Sequence, residues 1–111
     1  LASASEYCGA QFLLERRFDR AARAFTRGIE ELDRVRAELP ESGQAALPID
    51  LARYRKTLED WNSLAELAAA SRVDAAREAL ARIRAGYAEV LEVDHEFMRL
   101  IDGVGRVIED K

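Results

Sequence analysis

The sequence predicts an all-α fold, an antiparallel bundle of four helices, on three observations. Apolar residues recur in alternating four-three steps over three long stretches, the spacing of one helix face. Nothing alternates with period two, so no strand is expected. The composition agrees, with 49% hydrophobic and 34% charged residues and only two prolines and six glycines to interrupt them. At 111 residues the chain is a single domain's worth, long enough to bury a core without disulfide or metal staples.

The first stripe runs Tyr7, Gln11, Leu14, Phe18, Ala21, Phe25, Gly28, Leu32, Val35 and Leu39, with Gln11 its only polar member. Asp19 follows the pair Arg17-Phe18 and precedes an Ala-rich stretch. Its carboxylate suits the free N–H groups of a first helical turn, which divides the stripe into helices over 3–17 and 19–39. The stripe itself passes through Asp19 without a break, so one fused helix over 3–39 is the alternative. Pro40 to Pro48 (PESGQAALP) is turn chemistry at both ends.

Leu51, Tyr54, Leu58, Trp61, Leu64 or Ala65, and Ala68 then predict a helix over 49–70, with Trp61, Tyr54 and Leu58 in the core. Asp74, after Arg72-Val73, is the expected cap of a last helix over 74–108. That helix carries Ala76, Leu80, Ile83, Tyr87, Val90, Asp94, Phe97, Ile101, Val104 and Ile108 on one face. Gly103 and Gly105 are expected to weaken its end by roughly 1 kcal/mol each and let it fray.

An internal repeat supports the break at Asp19. Residues 10–25 (AQFLLERRFDRAARAF) laid over residues 65–80 (AELAAASRVDAAREAL) match Ala10 with Ala65, Arg17 with Arg72, Phe18 with Val73, Asp19 with Asp74, Ala21 with Ala76 and Phe25 with Leu80. This reads as a helix, a tight turn and a second helix, twice.

Length raises a difficulty. A single helix from Asp74 to Lys111 would reach about 57 Å, against about 32 Å for a helix of roughly 21 residues. Its end would overhang the bundle with Phe97, Ile101, Val104 and Ile108 on one face. Leaving such side chains in water costs about 1.5–3 kcal/mol each. These four residues are therefore the expected partner-binding or self-association surface, covered by a homodimer, a partner or a helix upstream of Leu1. Opening on Leu1 rather than Met, the chain is expected to be a piece of a longer one.

The net charge of −4 argues against a nucleic-acid binder, and it is unevenly placed. Residues 1–39 balance seven basic against seven acidic groups, whereas residues 73–111 carry six against nine. Cys8 is alone, so no intrachain disulfide forms, and no apolar run approaches 18 residues, so any membrane attachment would come from flanking segments.

Chemistry-bearing patterns are scarce. His95 is the only histidine, and Glu92 with His95 has the helical spacing of a carboxylate-bridged metal site but lacks a second pair, so no metal, cofactor or catalytic residue is assigned. Nucleophilic triads, phosphate loops and zinc spacings are absent. Arg16, Arg20, Arg23 and Arg27 form a basic stripe at helical spacing. It reads either as a solvated face laced by Asp19–Arg23 and Arg27–Glu31 pairs or as a docking surface for an acidic partner or a phosphate backbone. Gln11 and Asp94, polar residues on apolar faces, are candidates for buried pairing or ligand contact.

Gly9, Phe12, Phe18, Ala21, Phe25 and Gly28 resemble the small-residue contacts and aromatic wedges of a tetratricopeptide (TPR) hairpin. Leu64, Leu67, Val73, Ala76, Leu80 and Ile83 form a second copy that keeps the hydrophobics and loses the glycines. Phe18-Asp19, Ala21, Phe25 and Gly28-Ile29 resemble, more loosely, a microtubule-interacting-and-transport domain. Both resemblances imply a non-enzymatic module whose groove takes a protein or peptide, expected in the cytoplasm.

The four-helix architecture with a long last helix is also similar to the extracytoplasmic sensor domains of bacterial chemoreceptors and sensor kinases, which implies a ligand-sensing, dimeric, periplasmic alternative. His95-Glu96-Phe97-Met98 resembles the phosphoacceptor helix of some sensor kinases, although Arg99 stands where that family has Asn.

Overall fold

Two turns of the same construction set the architecture. The structure, a computed structural model, describes residues 4–38 and 51–109. Helix α1 (Ala4–Leu14) ends where Arg16 takes a φ of 60°, the left-handed region. The Arg17 N–H then donates to the Phe12 carbonyl at 2.8 Å and the Arg16 N–H to the Leu13 carbonyl at 3.0 Å, closing a Schellman turn. Helix α2 (Phe18–Glu38) starts at once. Fifty-five residues on, α3 (Leu51–Ala69) ends at Ser71 with a φ of 59°. Here Arg72 N–H donates to Leu67 at 2.9 Å and Ser71 N–H to Ala68 at 3.1 Å, and α4 (Val73–Ala88) follows. The repeat seen in the sequence is thus a repeat of backbone geometry, bond for bond. The fused helix over 3–39 does not form.

Asp19 and Asp74 are not the caps. The helices begin one residue earlier, at Phe18 and Val73, and Arg72 in the cap position makes no side-chain cap bond. Both aspartates sit in the first turn, where their charge still favours the positive end of the helix dipole.

The expected last helix over 74–108 is two helices. After Tyr87, whose carbonyl accepts from Val90 and Leu91, the chain leaves helical geometry over residues 89–95 and re-enters it as α5 (Glu96–Glu109). The single histidine makes the second start. His95 Nδ1 accepts from the Phe97 N–H at 3.0 Å, so the imidazole is the N-cap of α5. Glu92 and His95 therefore share no helix face, and the metal spacing does not exist. Nor does His95-Glu96-Phe97-Met98 continue an upstream helix.

Five helices, not four, are present among the described residues, and they close into a ring in which each packs on the next and α5 returns to α1. Contacts give the directions. Arg84–Asp102 at 2.8 Å and Arg77–Glu109 at 3.1 Å set α5 antiparallel to α4. Tyr7 meets Phe97 with ring centroids 4.9 Å apart, while Arg16 Nη1 donates to the Val107 carbonyl at 3.0 Å, so α1 and α5 run parallel. A closed ring of an odd number of alternating helices must contain one such parallel pair. The wholly antiparallel four-helix arrangement is corrected on both counts.

The return of α5 also removes the overhang. Phe97, Ile101 and Val104 are completely buried and Ile108 nearly so, within this chain's own core. They are not an exposed association surface, and the case for a homodimer built on them disappears. Gly103 and Gly105 do not fray the helix either, since α5 continues to Glu109. They let it approach: a Cβ at Gly103 would lie 3.1 Å from Leu14, and one at Gly105 3.3 Å from Leu80.

The core is aromatic at its centre. Phe25 stacks on Trp61 with centroids 5.3 Å apart, and Trp61 meets Tyr87 at 6.5 Å and Phe97 at 6.2 Å. Leu13, Leu58, Leu64, Leu80 and Ile83 surround them. Exposed ion pairs tie neighbouring helices, with Arg55–Asp33 at 2.8 Å between α3 and α2 and Arg53–Glu89 between α3 and the end of α4. The Arg55 hydrogen bond holds the Asp33 carboxyl below its ordinary range. The Pro40–Pro48 turn and Leu39 lie outside the described residues.

Candidate functional site

The alternation of helices brings both Schellman turns to one end of the ring, together with the last turn of α5. That end is rich in arginine because each turn carries it in sequence: Arg16-Arg17 in the first and Arg72 in the second. Arg20 and Arg23 follow on the exposed face of α2. Arg16, Arg17, Arg20 and Arg23 line a shallow cleft of about 360 Å3 together with Phe18, Ala69 and a single acid, Asp19. Beside it, sharing Arg16 and Phe18, lies a narrower crevice of about 180 Å3 between the two turns. Its apolar lining comes from Phe18, Ala68, Val73 and Ile108, and its polar rim from Arg16, Ser71 and Arg72.

Arg16 is fixed in place, for it donates to the Val107 carbonyl and its guanidinium carbon lies 5.9 Å from the Phe18 ring centroid. Arg17 pairs with Glu15 at 3.3 Å. The Asp19–Arg23 and Arg27–Glu31 pairs expected on a solvated face do not form. Among the described residues, Arg20, Arg23, Arg27 and Arg72 have no carboxylate within 4 Å. Three of the four stripe residues (Arg16, Arg20 and Arg23) therefore share one cleft, and Arg27 lies beyond it, exposed on α2.

The polar candidates Gln11 and Asp94 are both exposed, Gln11 on the outer face of α1 and Asp94 in the 89–95 loop. Neither pairs inside the core nor lines a ligand pocket at that end. Among the described residues the buried charged side chain is Glu6, only 2% exposed. Its carboxylate accepts from the Tyr87 hydroxyl, which in turn accepts from Trp61 Nε1 at 3.2 Å. Burial, reinforced by the Glu6 charge, pushes the Tyr87 phenol well above its ordinary range. Tyr87 thus stays a neutral donor, and the first-turn position of Glu6 sets its charge at the favourable end of α1.

Sequence reasoning missed Glu6 because the buried face of α1 is Glu6, Gly9, Ala10 and Leu13, whose small residues carry little hydrophobic weight. Their i, i+3, i+4, i+7 spacing was the available signal. This triad braces the core and is largely shielded from solvent.

No family model matches this chain, and no curated protein or solved structure gives a significant match to it. Among the described residues no helix is long and apolar enough to cross a membrane, and no group of three potential metal ligands gathers.

Proposed function

We propose that this chain is a non-enzymatic interaction module, TPR-like in its paired hairpins, that docks an acidic segment of another protein on its turn end. The observation that carries the reading is the convergence of Arg16, Arg17, Arg20 and Arg23 on one cleft against a single aspartate. Among the described residues Arg20 and Arg23 have no carboxylate partner, so their charge is available to a ligand. A planar guanidinium that already faces solvent loses little by engaging a carboxylate bidentately.

The overall charge of −4 favours a short acidic segment over a long polyanion, which the rest of the surface would repel. Contacts of α5 with both α4 and α1 support docking on the turn end over docking in a groove between hairpins. The sensor-domain alternative has no observation in its favour, and self-association is not part of the reading.

Titration of the isotopically labelled chain with an octaglutamate peptide tests it. Amide shifts should concentrate on residues 15–23 and 71–73, weaken steeply with salt, and vanish in Arg20→Glu/Arg23→Glu. Shifts centred on another face, or none at millimolar peptide, would sink the proposal.

A further inference from the structure

We infer that recognition at the turn end has two parts: one large apolar side chain of an acidic peptide seats in the crevice between the Schellman turns, and carboxylates on one side of that anchor lie along α2. The inference rests on the docking reading above and names the motif that would satisfy it.

The crevice is built differently from the cleft beside it. Phe18 and Val73, the first residues of α2 and α4 and equivalents in the repeat, both line it, and Ile108 of α5 contributes to the lining. Its volume of about 180 Å3 is that of a site for one six-membered ring or one leucine-sized side chain, an engineered apolar cavity of about 150 Å3 being enough for benzene. Carbon from Phe18, Ala68, Val73, Val107 and Ile108 lines its apolar side, and an apolar occupant gains by displacing water from that side. Arg72 and Arg16 stand at the rim, where an ammonium or a guanidinium would be repelled and a carboxylate attracted.

Direction comes from α2. Beyond Phe18 the cleft carries Arg20 and Arg23, and the rise from Phe18 to Arg23 is about 7.5 Å along the helix. An extended peptide advances about 3.3 Å per residue, so acids within about two to three positions of the anchor reach both guanidinium groups. A flat anionic surface could touch the arginines but could not fill the recess. A nucleotide chain would fill it only with the polar edge of a base. An acidic peptide with one apolar anchor satisfies both halves.

Anisotropy titrations of the full chain with a labelled decapeptide test this, the probe carrying one Leu followed by four Glu. Controls replace Leu by Ser or replace every Glu by Gln. The parent should bind, and Leu→Ser should weaken it about tenfold or more. Ala68→Leu, which narrows the crevice without changing charge, should weaken only peptides that carry Leu. Arg20→Glu/Arg23→Glu should weaken the Leu and Ser peptides alike.

Equal binding of the Leu and Ser peptides overturns the anchor and leaves acidic docking standing. Equal binding of the Gln and Glu peptides overturns acidic docking itself, and binding by none of the peptides overturns both. Tighter binding to phosphatidylserine vesicles or to a single-stranded oligonucleotide than to the parent peptide also overturns the inference. The peptide controls decide the matter even if Ala68→Leu proves poorly folded.

Discussion

Adding one methyl group at Gly9 and one at Gly86 should move stability in opposite directions. Both glycines are helical, and in an exposed helix interior alanine is favoured over glycine by about 0.8–1.0 kcal/mol. At Gly86 a Cβ would meet nothing within 4 Å, so Gly86→Ala should realise most of that gain. At Gly9 the Cβ would lie 2.3 Å from both Cε1 and Cζ of Phe25, so the ring would have to move by about an ångström to restore van der Waals contact.

That ring has nowhere to go. Phe25 is completely buried and stacked on Trp61, with an interplanar angle of 16°, and Trp61 is itself held by Tyr87 and Phe97. Overpacking of this kind costs typically about 1–3 kcal/mol, occasionally more. The propensity gain offsets part of this, so Gly9→Ala should lose up to about 2 kcal/mol net, and the two variants should differ by the overpacking cost, about 1–3 kcal/mol. Urea unfolding, followed by far-ultraviolet circular dichroism and by Trp61 fluorescence, measures both against the parent. If Gly9→Ala proves as stable as Gly86→Ala, α1 and α2 do not cross at Gly9 and the packing described here is wrong.

Three further outcomes can be checked in the same assay. His95→Ala should lose about 1 kcal/mol by removing the acceptor that caps α5, while His95→Asp or His95→Asn, which keep an acceptor, should retain most of it; equal loss in all three would refute the capping role. Ser71→Gly should gain up to about 1 kcal/mol, because Ser71 holds a φ of 59° where a Cβ is unfavourable, and a loss would show that the second turn is built otherwise. Tyr87 should give an alkaline limit. Its phenol is raised above the ordinary 10.0 by burial and by Glu6, so the folded chain holds that proton more tightly than the unfolded one. Stability from this group is full below the unfolded value and should fall by about 1.4 kcal/mol per pH unit above it. In Tyr87→Phe that alkaline slope should flatten, and an unchanged slope would remove Tyr87 as its source.

Periodicity and turn chemistry along the chain were sufficient for the helical class, for the core positions Ala21, Phe25, Leu58, Trp61, Leu64, Ala76, Leu80 and Ile83, and for the equivalence of the two turns, though not for Val35, which is exposed. Each of these is a local property, carried by residues within one or two turns of each other. The arginine stripe was legible for the same reason. What the stripe could not show is that Arg16, Arg20 and Arg23 meet Phe18 in a cleft beside a crevice that Val73 and Ile108 complete. Those residues come together only when α4 and α5 fold back.

The long last helix shows most clearly where local information ran out. Residues 89–95 number seven, close to two helical turns, so the stripe through Tyr87, Val90, Asp94 and Phe97 stays in phase across a segment that is not helical. The decision is tertiary. Left as one helix, the chain would expose Phe97, Ile101, Val104 and Ile108 at about 1.5–3 kcal/mol each, more than the few backbone hydrogen bonds lost at a break capped by His95. Folding back buries all four against α1 and α4, where Gly103 and Gly105 leave room. It also encloses the Glu6–Tyr87–Trp61 network, whose members lie far apart in sequence and on three different helices. The sequence by itself determined that the chain is helical and which face of α2 and α3 is buried; the break after Tyr87, the buried face of α1 and which faces meet were decided by the cost of leaving the last apolar face in water.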